Sequence, residues 1–388
     1  MSPGRERGRT PRPNPSLKLD GLLTDRGCRI VVCCGSGGVG KTTTAAALAL
    51  RAAEQGRSVV VLTIDPARRL AQSMGLAALD NTPRTVSGVD PAAGGTLHAM
   101  MLDMKRTFDE VVIAHAAPER AQAILDNPFY QSLSSSFSGT QEYMAMEKLG
   151  QLRAENRWDL ILVDTPPSRS ALDFLDAPRR LGSFLDGRFS RVLMSGARGG
   201  GRSYLKALGA GFGAVTGLLT KILGAQVLKD MQTFVAALDT MFGGFRERAD
   251  TTYELLKTSG TAFVVVASPE RDALREASYF VERLAEEKMP LAGVVLNRVH
   301  TSTAEAISAE RALAGAETLE EAGAHPVAAG LLRLHADRMR LVTRERRLRG
   351  RFTSAHPRVP MVEVAAQAGD VHDLDGLRVV GAALGTGA

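Results

Sequence analysis

The residues best suited to chemistry lie in one short glycine-rich segment near the N-terminus. Residues Gly35–Thr42 read GSGGVGKT and match the phosphate-loop pattern G-x-x-x-x-G-K-[ST]. Glycines let backbone N–H groups curve around a polyphosphate, because they carry no Cβ that would clash. Lys41 is expected to reach the β- and γ-phosphates, and the Thr42 hydroxyl is expected to ligate Mg²⁺. The pattern predicts a nucleotide-binding segment made of Gly35, Ser36, Gly37, Gly38, Val39, Gly40, Lys41, Thr42 and Thr43.

The flanking sequence supplies the strand and the helix that such a loop requires. The apolar, β-branched run Ile30–Val32 predicts a buried strand before the loop. The run Thr43–Leu50 is rich in alanine and leucine and predicts a helix after it. The N-terminus of that helix adds a partial positive charge beside the phosphates. This strand–loop–helix context disfavours the alternative of a chance glycine-rich turn.

Two aspartates lie at or just after the ends of predicted strands and are candidates for metal binding or catalysis beside the phosphates. Asp65 follows the strand Ser58–Thr63, and Asp164 ends the strand Trp158–Asp164. Because the carboxyl ends of parallel strands meet at one edge of a sheet, both acids should lie near Lys41. Asp164, at the end of an apolar run, fits the acid that supports Mg²⁺ in phosphate-loop enzymes. A helix cap is the structural alternative for Asp164.

An asparagine stands at the end of a later predicted strand, Leu291–Asn297. Its side-chain amide could bond a nucleotide base, although this position alone is a weak indication. Further strands are predicted at Thr96–Leu102, Thr261–Ala267 and Val359–Val364, with helices at Arg271–Glu287 and Asp373–Leu384. This alternation predicts an α/β fold with a doubly wound, mainly parallel sheet.

Two helical stretches interrupt the alternation, at residues 103–156 and 176–257. Within the second, Ala207–Thr220 carries no charge and is rich in glycine. It is shorter than the roughly 20 residues of a membrane span. It is either a tightly packed core element or an apolar surface that is covered and uncovered.

We expect a disordered basic tail over 1–20 and a nucleotide-binding domain over 21–388, with an inserted helical subdomain.

The composition is that of an ordinary globular protein, with 44% hydrophobic and 23% charged residues. Its only cysteines, Cys28, Cys33 and Cys34, lie on or beside the first predicted strand and form no C-x-x-C pair. They are interpreted as core residues of a protein in a reducing compartment, which predicts a cytoplasmic location and disfavours a zinc site.

The formal net charge of +6 arises partly from two basic runs. One is the N-terminal tail, and the other is Arg344–Arg351, which reads RERRLRGR. The tail contains Arg5, Arg7, Arg9, Arg12 and Lys18. Solvated segments are the favoured interpretation of both runs, and no nucleic-acid partner is expected.

The order of the motifs resembles that of the ArsA-type ATPases, a family that includes the arsenite-pump ATPase and the targeting factor for tail-anchored membrane proteins. The resemblance rests on the phosphate loop, then Asp65-Pro66-Ala67, then Asp164-Thr165-Pro166-Pro167, then Asn297-Arg298. The segment LHAMMLDMKRTFDE at 97–110 also resembles this family. The similarity extends over about residues 28–376 and implies a phosphate-loop ATPase with ATP and Mg²⁺ as ligands.

The resemblance also implies roles for single residues. Asp65 would be the first-switch acid that orients or deprotonates the attacking water near the metal. Asp164 would be the second-switch acid near Mg²⁺. Asn297, with Arg298 beside it, would contact the nucleotide, and Asn297 would bond adenine. The helical stretches 103–156 and 176–257 would open and close with the nucleotide.

The chain departs from the family pattern at three places. Ser36 stands where the family's loop carries a lysine that crosses a dimer interface to the partner's nucleotide. The cysteines that bind arsenite in the pump have no counterpart outside the first strand. The two switches are altered, with Arg68 after Ala67 and Arg169 after Ser168; these arginines are either replacement charges or surface residues.

The implied function is Mg²⁺-dependent ATP hydrolysis that switches a dimer between states that hold and release an apolar protein client or a membrane protein. Ser36 favours a heterodimer with a related ATPase subunit over a homodimer. One alternative is a weakly hydrolysing regulatory subunit of such a heterodimer. Another is a membrane-surface ATPase of the cell-division or plasmid-partition type, although no terminal amphipathic helix is evident. The expected location is cytoplasmic, with peripheral attachment to a membrane as an option.

Overall fold

An eight-stranded sheet runs through the chain in the computed structural model, which describes residues 14–65, 69–128, 130–131, 140–166 and 247–386. The strand order is β3-β4-β2-β5-β1-β6-β7-β8, and all neighbours are parallel except β3 and β4. The predicted doubly wound, mainly parallel α/β sheet is confirmed. The strands are β1 Ile30–Cys34, β2 Ser58–Thr63, β3 Arg84–Thr85, β4 Thr96–Met101, β5 Leu160–Asp164, β6 Thr261–Ala267, β7 Leu291–Val299 and β8 Met361–Ala365.

Helices cover both faces of the sheet. The helices are α1 Leu19–Thr24, α2 Lys41–Glu54, α3 Arg69–Ser73, α4 Met104–His115, α5 Pro118–Leu125, α6 Thr140–Glu155, α7 Arg271–Glu286, α8 Ala309–Glu321, α9 Pro326–Ala355 and α10 Leu374–Thr386. Side chains alternate along each strand, so Ile30 and Val32 enter one core and Val31 enters the other. The first core packs against α4, α6 and α7, and the second packs against α1, α2 and α10.

The phosphate loop occupies the centre of the sheet because β1 lies between β5 and β6. The loop and the ends of β2, β5 and β7 therefore share the carboxyl edge, where doubly wound sheets bind their ligands. Strand β7 is longer than predicted and reaches Val299. Within it Arg298 has a φ of +61°, and the pairing with β8 shifts register between Leu296 and Val299. This bulge redirects the chain just after Asn297.

The predicted disordered tail over 1–20 is wrong for residues 14–20. Ser16 forms a parallel bridge with Met361 at the open edge of β8, and the Leu17 N–H donates to the Met361 carbonyl. Leu19 is fully buried at the start of α1. The segment is ordered because it covers an unpaired sheet edge and places leucines in the core. The preceding residues lie outside the described part.

Within the predicted helical stretch 103–156, the described residues form α4, α5 and α6, and residues 247–256 of the second stretch are also helical. Residues 129 and 132–139 of the first stretch lie outside the described part. Whether these helices form a separate subdomain stays a prediction. Among the described residues, no helix has the length and apolar character to cross a bilayer. Ala207–Thr220, Arg68 and Arg169 lie outside the described residues.

Candidate functional site

The phosphate loop connects β1 to α2 in a conformation that depends on its glycines. Gly35 has a φ of +145°, and a Cβ on it would lie 2.0 Å from the Val266 carbonyl oxygen of β6. Gly40 has a φ of +93° and immediately precedes α2. A Cβ on Gly40 would lie 2.2 Å from the Asn297 side-chain nitrogen. The loop is therefore pressed against two neighbouring strands where only glycine fits.

Lys41 turns back over the loop from the first position of α2. Its ammonium donates a hydrogen bond to the Ser36 carbonyl at 2.8 Å, and the residue is buried. Burial lowers the pKa of Lys41, whereas the carboxylates of Asp164 and Asp65 act in the opposite direction. The cation thus lies between the loop and two acids, where it can reach a phosphate on the loop.

Asp164 is the fully buried acid of the site. Its Oδ2 accepts hydrogen bonds from the Thr42 hydroxyl at 2.7 Å and from the Thr63 hydroxyl at 3.0 Å. Burial raises the pKa of Asp164 to about 6. Its other oxygen, Oδ1, is buried and has no hydrogen-bond partner among the described residues. A buried acceptor of this kind normally has a partner, and Oδ1 beside the Thr42 hydroxyl suits a hydrated Mg²⁺ ion.

Asp65 follows β2 at the same edge and is partly exposed. Its N–H donates to the Thr63 hydroxyl at 3.3 Å, so Thr63 connects both acids. The Asp65 charge raises the pKa of Lys41 and that of Asp164, which places the carboxylate within electrostatic range of each. The structure thus brings together the loop, Lys41 and the two acids that the sequence predicted.

Ser36 lies inside the loop with its hydroxyl buried. The residue is 8% exposed, and its Oγ has no hydrogen-bond partner in the part of the chain that the structure describes. This is the position at which the family carries a lysine.

Asn297 contacts the phosphate loop directly. Its side-chain nitrogen donates to the Val39 carbonyl at 2.9 Å. This contact fixes the orientation of the amide. Arg298 is exposed at the same strand end and makes no hydrogen bond or ion pair to the described residues. Two residues later, His300 contacts α9, because its N–H donates to the buried Glu345 at 2.9 Å and its Nδ1 lies 2.6 Å from the same carboxylate.

Sequence reasoning missed two functional contacts. The Thr63 hydroxyl orients Asp164, and Asn297 braces the loop through Val39. A threonine at a strand end next to an aspartate could have indicated the first contact. Nothing in the local sequence indicates the second, because Val39 and Asn297 are 258 positions apart.

Replacing Gly40 by alanine should destabilise the nucleotide-free protein more than replacing Gly38. Both glycines have positive φ, so each alanine costs about 1–2 kcal/mol of backbone strain. Only the Gly40 Cβ meets Asn297, whereas nothing lies within 4 Å of a Cβ on Gly38. The displaced Asn297–Val39 hydrogen bond adds about 1 kcal/mol. Urea unfolding of Gly40→Ala and Gly38→Ala measures the difference, and equal losses would contradict the contact.

Ionisation of Asp164 should make the metal-free fold less stable as the pH rises. The folded pKa of Asp164, about 6, exceeds the ordinary value of 3.8, so the folded protein holds this proton more tightly than the unfolded chain. Stability is therefore fully retained below pH about 4 and falls as the pH rises through about 6. Relative to the parent, Asp164→Asn should gain about 2–3 kcal/mol between pH 4 and pH 8. Urea unfolding without divalent cations measures this gain. The exposed control Asp370→Asn should show no such trend, and a pH-independent difference for Asp164→Asn would contradict the assignment.

Comparison with known proteins adds a family match. The ArsA ATPase family model, described as anion-transporting ATPase, matches residues 28–321. The chain is 27% identical over 286 residues to an ATPase ASNA1 homolog of Cryptosporidium parvum, covering 74% of this chain and 68% of the relative. It is 26% identical over 283 residues to ATPase GET3 of Podospora anserina, covering 72% and 76%. It is also 26% identical over 307 residues to ATPase ARSA2 of Chlamydomonas reinhardtii, covering 74% and 72%.

Proposed function

Because the chain belongs to the anion-transporting ATPase family of ArsA type, whose members hydrolyse ATP, we propose that it couples Mg²⁺-dependent ATP hydrolysis to a switch that holds and releases a partner. The observation that carries this proposal is the cluster at the carboxyl edge of the sheet. There the hydroxyls of Thr42 and Thr63 both donate to Asp164. Lys41 lies within electrostatic range of that carboxylate. Such a cluster suits a metal–triphosphate complex and has no evident purpose in a purely structural sheet edge.

Each residue of the site has a role in ATP hydrolysis that follows from its position. The loop amides and Lys41 bind the triphosphate, and Lys41 offsets the charge that develops on the γ-phosphate. The Thr42 hydroxyl and Asp164 would hold Mg²⁺, which supplies electrostatic stabilisation of the phosphates when bound. Asp65, at the open side of the site, orients the attacking water and accepts its proton. Asn297, already oriented by Val39, contacts the adenine together with Arg298.

The switch follows from how the acids are attached. Asp164 is the last residue of β5, and Asp65 lies two residues beyond the end of β2, so both acids lie at the edge where the loop would hold a γ-phosphate. In other nucleotide-hydrolysing proteins, switch loops become ordered when the γ-phosphate is bound and are released when it is lost. We propose that an apolar protein client or a membrane protein is bound in one state and released in the other. The three free, buried cysteines support a cytoplasmic location, and peripheral attachment to a membrane is compatible with it.

The test of this function compares two nucleotide states of the purified chain. Turnover of ATP with Mg²⁺ is measured first, and hydrogen exchange is then compared between the states with a non-hydrolysable ATP analogue and with ADP. We expect Mg²⁺-dependent turnover and different protection in residues 103–156 and 247–257. Tight nucleotide binding with identical exchange in both states would refute the switch.

Ser36 supports a second feature, a dimer in which a related subunit supplies a lysine in trans. A cation delivered across an interface to the phosphates is worth up to about 10³–10⁵ in rate. This chain carries a buried serine hydroxyl there, so a homodimer would contain no such lysine in either site. We therefore favour a heterodimer. If the partner subunit hydrolyses most of the ATP, this chain would be its weakly hydrolysing regulatory subunit.

The variant Ser36→Lys tests the heterodimer. If the absent lysine limits the isolated chain, the variant should hydrolyse ATP at least ten times faster than the parent under conditions in which it dimerises. The variant Ser36→Gln has a similar reach but no charge, and it should remain at the parent rate. Fast turnover by the parent chain alone, unchanged in Ser36→Lys, would refute the need for a partner's lysine.

A further inference from the structure

The longest helix carries an unusual excess of positive charge. Helix α9 contains eight arginines, no lysine and two acidic residues. Its formal charge of +6 equals the net charge of the whole chain. The acidic and basic residues of the rest of the chain therefore cancel, and the net positive charge comes from α9.

Half of these arginines are used within the protein. Arg333 pairs with Glu320 on α8, Arg346 pairs with Glu305, and Arg349 pairs with Glu363 on β8. Arg338 donates to the Thr301 carbonyl at 3.0 Å. These contacts attach α9 to its neighbours, so these four arginines have a structural explanation.

The other four arginines form an exposed line. Arg340, Arg344, Arg347 and Arg351 recur at intervals of four, three and four residues, which places them on one face of the helix over about 16 Å. Arg340 has a solvent-exposed contact with Asp337, of the kind that contributes little. Arg344, Arg347 and Arg351 are exposed and make no hydrogen bond or ion pair with any described residue. We refer to these four residues as the arginine line.

Arg344, Arg347 and Arg351 of the arginine line face solvent, whereas Arg340, at its start, also lies within electrostatic range of Glu310 on α8. Val342, Glu345 and Phe352 occupy the opposite side of α9 and are buried. The exposed large apolar side chains of α9 are Val327, Leu331 and Leu334, which lie before the line begins. The line thus offers guanidinium groups without adjacent apolar anchors. Insertion into a bilayer needs both, so a membrane is disfavoured as its partner.

The N-terminal segment enters the structure at the same end of α9. The Asn14 side chain donates to the carbonyls of His356 and Val359, at 2.9 Å each, just beyond the helix. The sequence before Asn14 carries Arg5, Arg7, Arg9 and Arg12. The described part of the N-terminal segment therefore begins next to the C-terminal end of α9.

We propose that the arginine line docks an acidic α-helical segment of a partner protein. Carboxylates at the same four–three–four spacing on a facing helix would meet the four guanidinium groups, and arginine pairs with carboxylates in a two-pronged geometry. Single-stranded nucleic acid fits less well, because Phe352, the only Phe, Tyr or Trp residue of α9, is buried and cannot stack on a base. Neither the sheet nor the nucleotide site requires the positive charges of the arginine line, and docking of an acidic helix would give them a function.

The test uses a fluorescein-labelled, alanine-rich helical peptide of 20 residues with glutamates at four–three–four spacing. An isomer with the same composition and glutamates on all faces is the peptide control. Fluorescence anisotropy with the full chain should show at least tenfold tighter binding of the first peptide in 50 mM salt, weakening in 300 mM salt. Arg344→Glu/Arg347→Glu/Arg351→Glu should abolish this binding without changing ATP affinity.

A matched triple variant separates position from net charge. Arg120→Glu/Arg271→Glu/Arg311→Glu changes the charge by the same amount at exposed sites outside α9, and should bind the peptide within twofold of the parent. Equal affinity for the two peptides, or equal losses in the two triple variants, would overturn the proposal. Tighter binding to phosphatidylserine vesicles or to a 20-base-pair RNA duplex than to the peptide would also overturn it.

Discussion

Lys41→Ala is expected to lower ATP turnover about 10²–10³-fold, the loss typical of removing one preorganised donor to a developing charge. ATP affinity should fall as well, because the ammonium lies against the Ser36 carbonyl inside the loop and would contact the phosphates directly. The fold should tolerate the change, since removing a buried cation also removes its desolvation cost. Steady-state turnover and nucleotide titration by calorimetry measure the two effects.

The matched control for this prediction is Lys105→Ala. Lys105 has an exposed side chain, and its contact with Asp109 lies within one helix turn. This variant should retain the parent turnover and affinity. Unchanged nucleotide affinity in Lys41→Ala would mean that the loop is not the phosphate site, and the proposed function would fail with it.

Asp65→Asn is expected to lower the rate of ATP hydrolysis by about 10²–10⁴-fold, the range of general acid–base contributions. ATP affinity should be retained or should increase, because the variant removes a negative charge near the triphosphate without removing a donor. Single-turnover hydrolysis separates the chemical step from product release. The structure gives Asp65 the exposure that a water-orienting group needs, whereas Asp164 is sealed beneath Thr42 and Thr63.

Asp65→Glu is the informative companion variant. It keeps the carboxylate but moves it by one methylene, so an intermediate rate would indicate that position matters in addition to charge. Exposed Asp370→Asn serves as the neutral control. If Asp65→Asn lost nucleotide affinity but hydrolysed bound ATP at the parent rate, Asp65 would be a binding residue and the assigned chemistry would be wrong.

The parts of the fold that the sequence predicted are those with local causes. The strands Ser58–Thr63 and Thr261–Ala267 begin and end where predicted, because continuous β-branched runs have few alternatives when buried. Asp65 and Asp164 lie at the same edge as the loop because all parallel strands end there, and they lie close to it because β2, β5 and β1 are consecutive in the sheet. Strand β3, at Arg84–Thr85, escaped prediction because it has two exposed residues and only one neighbouring strand.

The parts that escaped prediction depend on residues far apart in the chain. The ordered segment at Ser16 exists because β8 leaves an open edge 345 residues later. The contact between Asn297 and Val39 depends on the position of β7, which no local pattern specifies. Ser36 was the informative exception, since a departure from a family motif can be read from one position. The structure adds that the Ser36 hydroxyl is buried, which the sequence alone could not show.

The central position of β1 has a consequence for biosynthesis. Its partners are β5, from residue 160, and β6, from residue 261, and the last brace on the loop comes from Asn297. A ribosome delivers these segments long after the loop itself has emerged. During translation the apolar strand β1 therefore has no neighbouring strand until β5 is complete at residue 164, and it lacks its second neighbour until β6 is complete at residue 267. Exposed apolar strands of this kind are a situation in which chaperones are needed. Products truncated before residue 297 would lack the Asn297 contact to the phosphate loop.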